Sequence, residues 1–231
     1  MCKTGLVFTV LTLAASLPAT ATIISGDVTG GTALTAGGTF VKLTVPLSNP
    51  FGPPNSVGND NFQSPDLYGF DEDQNILLTA PLTVNVGTSP IPAGTVVASH
   101  YVFFDPGPTE HVIGTVNFDS DILGIITSTT TLADSDFLAN TGVNYLNPSA
   151  RGLEAGDSVT ISGPRQILFD TFASSPGDYV RVLTAFSPAA AAAPEPGSFG
   201  LLADGLAGVA ILLGLRRRQR KAGGVRGHSG S

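Results

Sequence analysis

Carboxylates grouped between apolar segments are the side chains of this sequence best suited to chemistry. The run Asp-Glu-Asp-Gln-Asn at residues 71–75 begins like a calcium-binding loop, with oxygen ligands at alternate positions. A helix–loop–helix calcium loop needs glycine at its sixth position and glutamate at its twelfth, where this chain has Ile76 and Leu82. The pattern therefore excludes that loop and leaves a looser calcium site as the one cofactor considered. Its predicted ligands are Asp71, Asp73 and Asn75.

Residues suited to catalysis are sparse. The pairs 119/121 and 134/136 are acidic and follow predicted strands, where solvated turn acids are the simpler interpretation. Paired carboxylates also serve glycoside hydrolysis, but only at a suitable separation in space. A hairpin predicted over residues 95–118 would put His100 and His111 on one face, roughly 13 Å apart and too far for one metal. We expect no enzymatic activity.

The N-terminus has the three parts of a secretory signal peptide. Lys3 supplies a positive start, residues 5–17 form a short apolar core, and Ala19-Thr20-Ala21 is a small-residue cleavage site. The core is too short for a permanent anchor in a bilayer of about 30 Å. We therefore expect residues 1–21 to be removed during export across the inner membrane. The only cysteine, Cys2, would leave with them, so no disulfide is expected in the mature protein.

The C-terminus has an ordered pattern of its own. Residues 189–197 form an alanine and proline linker that contains Pro194, Glu195 and Pro196, and the two prolines favour an extended backbone there. Residues 198–215 are mostly apolar and would make a helix of roughly 27 Å, barely a membrane span. A basic cluster opens the tail at residues 216–231 and would hold that end in the cytoplasm. The cluster consists of Arg216, Arg217, Arg218, Arg220 and Lys221.

This arrangement resembles the PEP-CTERM sorting signal. The resemblance covers residues 194–221 and rests on the Pro-Glu-Pro element, the short apolar helix and the arginine cluster. It implies an exosortase-type membrane protease as partner, a transient membrane tether, and a cell-surface or extracellular destination in bacteria that make a biofilm matrix. Asp204 within the apolar run and the extension to Ser231 depart from the pattern. An ordinary single-span anchor is the alternative.

The charge of the mature segment is strongly negative. Its basic residues are Lys42, Arg151, Arg165 and Arg181, and of the 18 acidic residues only Asp204 lies beyond residue 195. Four basic against 17 acidic residues leave a net charge of about −13, compared with −7 for the whole chain. Such a surface repels nucleic acid and favours divalent cations.

Residues 22–188 are predicted to form one mostly β ectodomain. Short runs rich in Val, Ile, Thr and Phe alternate with Gly, Pro, Asn and Asp, which predicts an antiparallel β-sandwich, jelly-roll-like in type. A β-helix is less consistent, because no fixed-period repeat is present. Only residues 131–140 suggest a helical turn. The predicted strands are residues 40–47, 76–86, 95–104, 111–118, 122–128, 158–162, 166–172 and 179–186.

Taken together, these patterns favour a non-enzymatic surface or matrix protein with a structural or adhesive role. A secreted carbohydrate-binding module is the alternative, with exopolysaccharide as its possible partner, and a glycoside hydrolase is a more distant one. The sequence contains no tryptophan and only four tyrosines, so few aromatic platforms for sugars are available.

Overall fold

The computed structural model describes residues 21–186, and these are mostly β. Thirteen strands and two short α-helices occur in this part of the chain. The strands are β1 Ile23–Gly30, β2 Phe40–Lys42, β3 Ser56–Val57, β4 Leu67–Asp71, β5 Ile76–Leu77, β6 Val86–Gly87, β7 Val96–Phe104, β8 Glu110–Phe118, β9 Ile122–Ile126, β10 Asn144–Tyr145, β11 Ser158–Gly163, β12 Gln166–Ala173 and β13 Asp178–Ala185. The helices are α1 Gly31–Thr35 and α2 Thr129–Asp134.

The strands form two main sheets. The four-stranded sheet has the order β1-β8-β12-β11, and all its pairs are antiparallel. The seven-stranded sheet has the order β2-β4-β7-β13-β9-β6, with β5 also pairing with β7. It is mixed, because β2 and β4 are parallel while its other pairs are antiparallel. The short strands β3 and β10 make a separate parallel pair.

The central strands of the seven-stranded sheet are buried on both faces. All but the first residue of β7 and all but the last of β13 are buried. Because side chains alternate across a strand, each of these strands must supply two apolar faces. The near-continuous apolar runs in their sequences follow from that requirement, which is more usual in parallel sheets with both faces covered.

One face packs against the four-stranded sheet. Val102 and Phe104 of β7 and Val180 of β13 meet the inward side chains of β8 and β12, including Val116 and Phe169. The second face packs against irregular chain and the helical region around α2. This second core contains the aromatic rings of Tyr68, Phe70, Tyr101, Phe103 and Tyr179, with Phe62, Leu132, Leu138 and Val143 above them.

The predicted hairpin over residues 95–118 is wrong. β7 belongs to the seven-stranded sheet and β8 to the four-stranded sheet, so the segment 105–109 crosses between sheets instead of turning within one. Phe104 pairs with Asp178 and Leu67, and His111 pairs with Phe172. The residue pattern of each strand is the same whichever partner it has, and so periodicity alone does not identify the partner.

Other expectations are met in part. Of the predicted strand at 40–47 only β2 is formed, and the predicted strand at 76–86 is divided into β5 and β6 with a loop between them. The strands β1 and β4 were not predicted. The helical turn at 131–140 is present as α2 followed by the 3₁₀ turn Asp136–Leu138. Leu132 and Leu138 are buried there, but Phe137 is exposed.

Within residues 21–186, no helix is long and apolar enough to cross a membrane. The predicted signal peptide, the Pro-Glu-Pro element, the apolar helix at 198–215 and the basic tail lie outside the described residues. They stay predictions from sequence.

We refer to the irregular chain and helical region that pack on the second face of the seven-stranded sheet as the covering layer. It packs on Phe103, whose ring centroid lies 5.0 Å from that of Phe62 and 5.2 Å from that of Tyr68. We expect Phe103→Ala to lower the free energy of unfolding by about 3–5 kcal/mol, because it leaves a cavity between the sheet and this layer. Phe51→Ala, at a half-exposed ring, should change it by less than about 1 kcal/mol. Denaturant unfolding of both variants measures the difference, and equal effects would contradict this packing.

Candidate functional site

A buried ion pair joins β13 to the segment that follows β4. Nε of Arg181 donates to Oε2 of Glu72 at 2.7 Å, and Nη2 donates to Oε1 at 2.9 Å. Both side chains are inaccessible to solvent. Ser99 and Tyr145 donate to the same carboxylate, at 2.6 and 2.7 Å. The carboxylate is therefore held by three side chains at once.

The pair extends into a cluster of balanced charge. Nη1 of Arg181 donates to the carbonyl of Leu132 at 3.1 Å and to the hydroxyl of Ser135 at 2.6 Å. Asp136 accepts from Arg181 at 3.3 Å and from both terminal nitrogens of Arg151, at 3.0 and 2.7 Å. Two arginines thus face two acids. We refer to Glu72, Asp136, Arg151 and Arg181 as the ion cluster.

Electrostatics inside the ion cluster keep Arg181 charged. Burial alone would lower the pKa of Arg181, but the charge and hydrogen bonds of Glu72 outweigh it and raise the pKa well above its ordinary value. Burial and the nearby Glu72 carboxylate also raise the pKa of Tyr145, which stays a neutral donor. The Glu72–Arg181 pair within it has a structural role, because both side chains are inaccessible to solvent and hydrogen-bonded to each other.

We expect Arg181→Gln to lower the free energy of unfolding by about 3–5 kcal/mol, because it leaves the buried Glu72 carboxylate without a charged partner in an apolar layer. Arg165→Gln is the matched control, since Arg165 pairs with Asp121 at 2.8 Å and both side chains are more than half exposed. It should change stability by less than about 1 kcal/mol. Equal losses in denaturant unfolding would contradict a special role for the buried pair.

The predicted calcium ligand Asp71 lies at the other face of the same sheet. Its carboxylate accepts from Thr22 Oγ1 at 2.7 Å and Ile23 N–H at 2.9 Å, and it lies 2.8 Å from Nδ1 of His100 and from Nζ of Lys42. Burial would raise its pKa, but His100, Lys42 and the Ile23 N–H together hold the pKa well below its usual range.

The three predicted calcium ligands have different surroundings. Asp73 is partly buried, and burial together with the neighbouring Glu72 raises its pKa. Asn75 adopts a left-handed backbone, with φ of 58°. In the part of the chain that the structure describes, no group of three or more His, Cys, Asp or Glu is placed to hold a metal ion. Calcium binding at Asp71, Asp73 and Asn75 stays a prediction.

The two histidines have separate partners. Nε2 of buried His100 lies 3.0 Å from Thr184 Oγ1, while Nε2 of His111 lies 2.7 Å from Asp170 on the outer face of the four-stranded sheet. Members of the acidic pairs 119/121 and 134/136 also have separate partners. Asp136 belongs to the ion cluster, Asp121 binds Arg165, and Asp119 accepts from the Thr22 N–H at 2.9 Å.

A polar cleft of about 280 Å³ opens at the end of the domain where β12 leads into β13. One wall is residues 149–154 and the other is residues 172–178. The polar residues of the two walls include three serines and two acids, which are Ser149, Ser174, Ser175, Glu154 and Asp178. We refer to this region as the 149–178 cleft.

Asp178 is the most unusual side chain of the cleft. It is only 3% exposed, yet its Oδ2 has no hydrogen-bond partner among residues 21–186. Gly177 fixes its approach, because φ is +92° there and a Cβ would lie 2.7 Å from the carbonyl of Phe104. Burial, reinforced by the charges of Asp157 and Glu154, raises the pKa of Asp178 to about 7 against the opposing hydroxyl of Thr171.

An exposed aromatic ring lies beside the cleft, on the outer face of the four-stranded sheet. Phe172 is 60% exposed, although its ring is stacked on His111 with centroids 4.0 Å apart and planes 7° apart. Asp170 holds His111, and Asp157 accepts from the Phe172 N–H at 2.7 Å. The ring is therefore fixed on one side and open to solvent over most of its surface.

Comparisons of the chain with protein-family models, with curated proteins and with solved structures give no match. The geometry described above is thus the basis for any functional interpretation.

Sequence reasoning missed the ion cluster and the cleft. A signal for the first was available, because Arg181 interrupts an otherwise apolar strand and a charge buried there needs a partner. Nothing local distinguishes Asp178 from a turn acid, since Ser-Pro-Gly-Asp is an ordinary turn sequence.

We expect the unpartnered carboxyl of Asp178 to make stability depend on pH. Its folded pKa of about 7 lies above the unfolded value of about 3.9, so the folded state binds the proton more tightly. The stabilisation is complete below about pH 4 and is lost as pH rises to about 7. Asp178→Asn should remove this dependence, and at pH 8 it should be more stable than the unmodified chain by up to a few kcal/mol.

Denaturant midpoints at pH 5 and pH 8 measure this effect. Asp27→Asn, at an exposed acid of β1, is the control. The same pH response in both variants would show that Asp178 is not the source.

Proposed function

We propose that this chain is an exported cell-surface or extracellular-matrix protein, processed by an exosortase-type sorting system and having a structural or adhesive role. A signal helix and a C-terminal membrane helix flank a jelly-roll-like sandwich in this proposal. The protein is tethered to the membrane before processing and lies at the cell surface or outside the cell afterwards.

The observation that supports the proposal best is the order of residue patterns at the C-terminus. A Pro194-Glu195-Pro196 element, an apolar run and five basic residues follow one another in a chain whose first residues have the pattern of a signal peptide. Asp204 weakens the apolar run by up to about 3 kcal/mol of insertion free energy. A weakly held span suits a temporary tether better than a permanent anchor.

The start of the folded region is compatible with cleavage after Ala21. β1 begins at Ile23, and the Thr22 N–H donates to Asp119 at 2.9 Å while its hydroxyl donates to Asp71 at 2.7 Å. Cleavage at this bond would turn the Thr22 amide into an ammonium group beside two carboxylates. The new N-terminus would therefore gain charged partners without a change in the strand.

The composition of the mature segment fits an extracellular polymer environment. Its net charge of about −13 disfavours nucleic acid as a partner and keeps copies apart in solution. An exopolysaccharide is the partner class that agrees with both the proposed location and this charge, provided that it is not strongly anionic.

Replacing Pro194 and Pro196 together by alanine tests the sorting element. The change joins the alanine spacer to the apolar helix and removes the extended break. Export and membrane insertion should continue, because neither the signal peptide nor the apolar run is altered. Processing should fail, leaving a larger membrane-bound form that retains Arg216 and the residues after it. Fractionation and intact mass measure this in a host that has its sorting protease.

The control variant replaces Pro53 and Pro54 by alanine in an exposed loop, and it should be processed like the unmodified protein. The same host without the protease should accumulate the long form of every variant. If the unmodified protein keeps residues 216–231 in both hosts, the sorting proposal is wrong and the chain has an ordinary anchor.

A further inference from the structure

Two neighbouring carboxyl groups at one end of the fold each keep a buried oxygen that has no hydrogen-bond partner among residues 21–186. They are Oδ1 of Asp60, in the connection 58–66 between β3 and β4, and Oδ1 of Asp105, directly after β7. Asp105 is inaccessible to solvent. Buried polar atoms are almost always paired, and a bound ion is one of the few explanations for an atom that is not.

Contacts on two sides place these carboxyl groups next to each other. The N–H of Phe62, two residues after Asp60, donates to Oδ2 of Asp105 at 3.0 Å. On the other side, Ser175 donates to Oδ2 of Asp60 at 2.5 Å, and a Cβ at Gly177 would lie 3.2 Å from Cβ of Asp105. Each Oδ2 is therefore engaged, while each Oδ1 is left. Burial raises the pKa of Asp105 to about 6, and the charge of Asp60 adds to this against the Phe62 N–H.

We propose that Asp60 and Asp105 together bind one Ca²⁺ ion through their Oδ1 atoms. The ion would connect three segments, which are the connection 58–66, the end of β7 and the turn between β12 and β13. This inference concerns the folded domain and does not depend on the sorting signal. Failure of either proposal therefore leaves the other standing.

The positive charge that this pair needs is not available within residues 21–186. Tyr179 lies near Asp105, but its hydroxyl donates to the carbonyl of Pro176 at 2.5 Å. Both histidines have other acids as partners. Each of the four Lys and Arg residues in this part of the chain is also paired with another acid: Lys42 with Asp71, Arg151 with Asp136, Arg165 with Asp121 and Arg181 with Glu72.

A proton is the alternative way to neutralise the pair. One proton would satisfy one oxygen and leave the other without a partner, whereas a cation between the two carboxylates serves both. With a pKa of about 6, Asp105 loses its proton as the pH rises above that value. At pH 7.5 two like charges then face each other in a buried site, and a divalent cation relieves both the repulsion and the lost hydration.

The oxygen ligands favour Ca²⁺ over other metals. Carboxylate and carbonyl oxygens suit Ca²⁺, Mg²⁺ and Mn²⁺, whereas zinc and copper prefer histidine or cysteine. Mg²⁺ gives up its water reluctantly, which disfavours it in a buried site. Ca²⁺ lies about 2.3–2.6 Å from its ligands, closer than a water oxygen at about 2.7 Å, and so it can bind oxygens that solvent does not reach.

The number of acids at the site predicts a modest affinity. Ca²⁺ takes about six to eight oxygens, and residues 21–186 contain no group of three or more His, Cys, Asp or Glu placed around a common point. Backbone carbonyls and water must therefore supply the remaining ligands. We expect a dissociation constant near 10⁻⁴ M, in the range of extracellular calcium modules. Such a site would be filled outside the cell, where the proposed sorting system delivers the protein.

The loop 71–75 provides the matched control, because its sequence also resembles a calcium ligand set. Both oxygens of Asp71 already have partners, since Oδ1 accepts from the Ile23 N–H and Oδ2 lies 2.8 Å from Nζ of Lys42. Asp73 lies in the same loop and is partly buried, like Asp60. Asp73→Asn therefore removes one acid of comparable exposure without touching the proposed site.

Thermal unfolding of the full chain in a non-ionic detergent at pH 7.5 tests the proposal. Calcium chloride at about 10 mM, compared with a chelator, should raise the melting temperature by about 5 °C or more. The same concentration of magnesium should give less than half of that shift. Asp105→Asn and Asp60→Asn should each reduce the calcium shift to less than about 1 °C, whereas Asp73→Asn should keep it. Isothermal titration calorimetry should show one calcium site per unmodified chain.

The chelator arm distinguishes a lost ligand from a damaged fold. Without calcium, Asp105→Asn should melt at the same temperature as the unmodified chain or above it, because the amide has the same shape and removes the repulsion from Asp60. A much lower melting temperature there would show that the carboxylate is satisfied within the fold, which contradicts the proposal. An absent calcium shift, an equal shift from magnesium, or a shift lost in Asp73→Asn but kept in Asp105→Asn would also overturn it.

Discussion

The buried ion pair between Glu72 and Arg181 is the interaction on which the second core depends. Irregular chain covers that face of the seven-stranded sheet, and irregular chain has few regular backbone hydrogen bonds to fix its position. Arg181 supplies side-chain hydrogen bonds in their place, since it donates to the carbonyl of Leu132 in α2 and to the hydroxyl of Ser135 just after the helix. A cation at the end of a helix also complements the helix dipole. The guanidinium thus aligns the covering layer with β13.

A buried ion pair contributes less to stability than its hydrogen bonds suggest, because both ions lose their hydration. Its effect is clearer in the alternatives that it disfavours. Any packing of the covering layer that moved Glu72 or Asp136 away would leave Arg181 charged in an apolar environment. We interpret the ion cluster as a device that selects one arrangement of the layer. Arg151 connects the ion cluster to the 149–178 cleft, because it binds Asp136 and also lines the cleft wall.

The sequence predicts the class of the fold better than its topology. Long alternating runs such as β8 and β12 are identified almost to the residue, because each has one buried face and one exposed face. The pairing of β7 with β8 is predicted wrongly, since a five-residue connection with two prolines suits a hairpin and a crossing between sheets equally well. β4 was not predicted, although four of its five residues are buried. A Cβ at Gly69 would lie 2.9 Å from Ile23 Cδ1, so a larger residue there would displace the end of that side chain. The cleft could not be predicted, because Phe172 and residues 149–154 meet only in three dimensions.

The acidic composition of the chain has its main consequence at one end of the fold. Buried carboxylate oxygens without a partner among the described residues belong to Asp60, Asp105, Glu110 and Asp178. All four adjoin the connection between β12 and β13, since Asp60 accepts from Ser175, Asp105 follows the strand paired with Asp178, and Glu110 pairs with Ala173. Burial raises the pKa of Asp105 to about 6, with Asp60 adding to the effect. Electrostatic strain is therefore concentrated beside the cleft, whereas the charges of the ion cluster are fully paired. Sites that bind ligands often retain such uncompensated polar groups, because a group satisfied within the fold has nothing left to offer a partner.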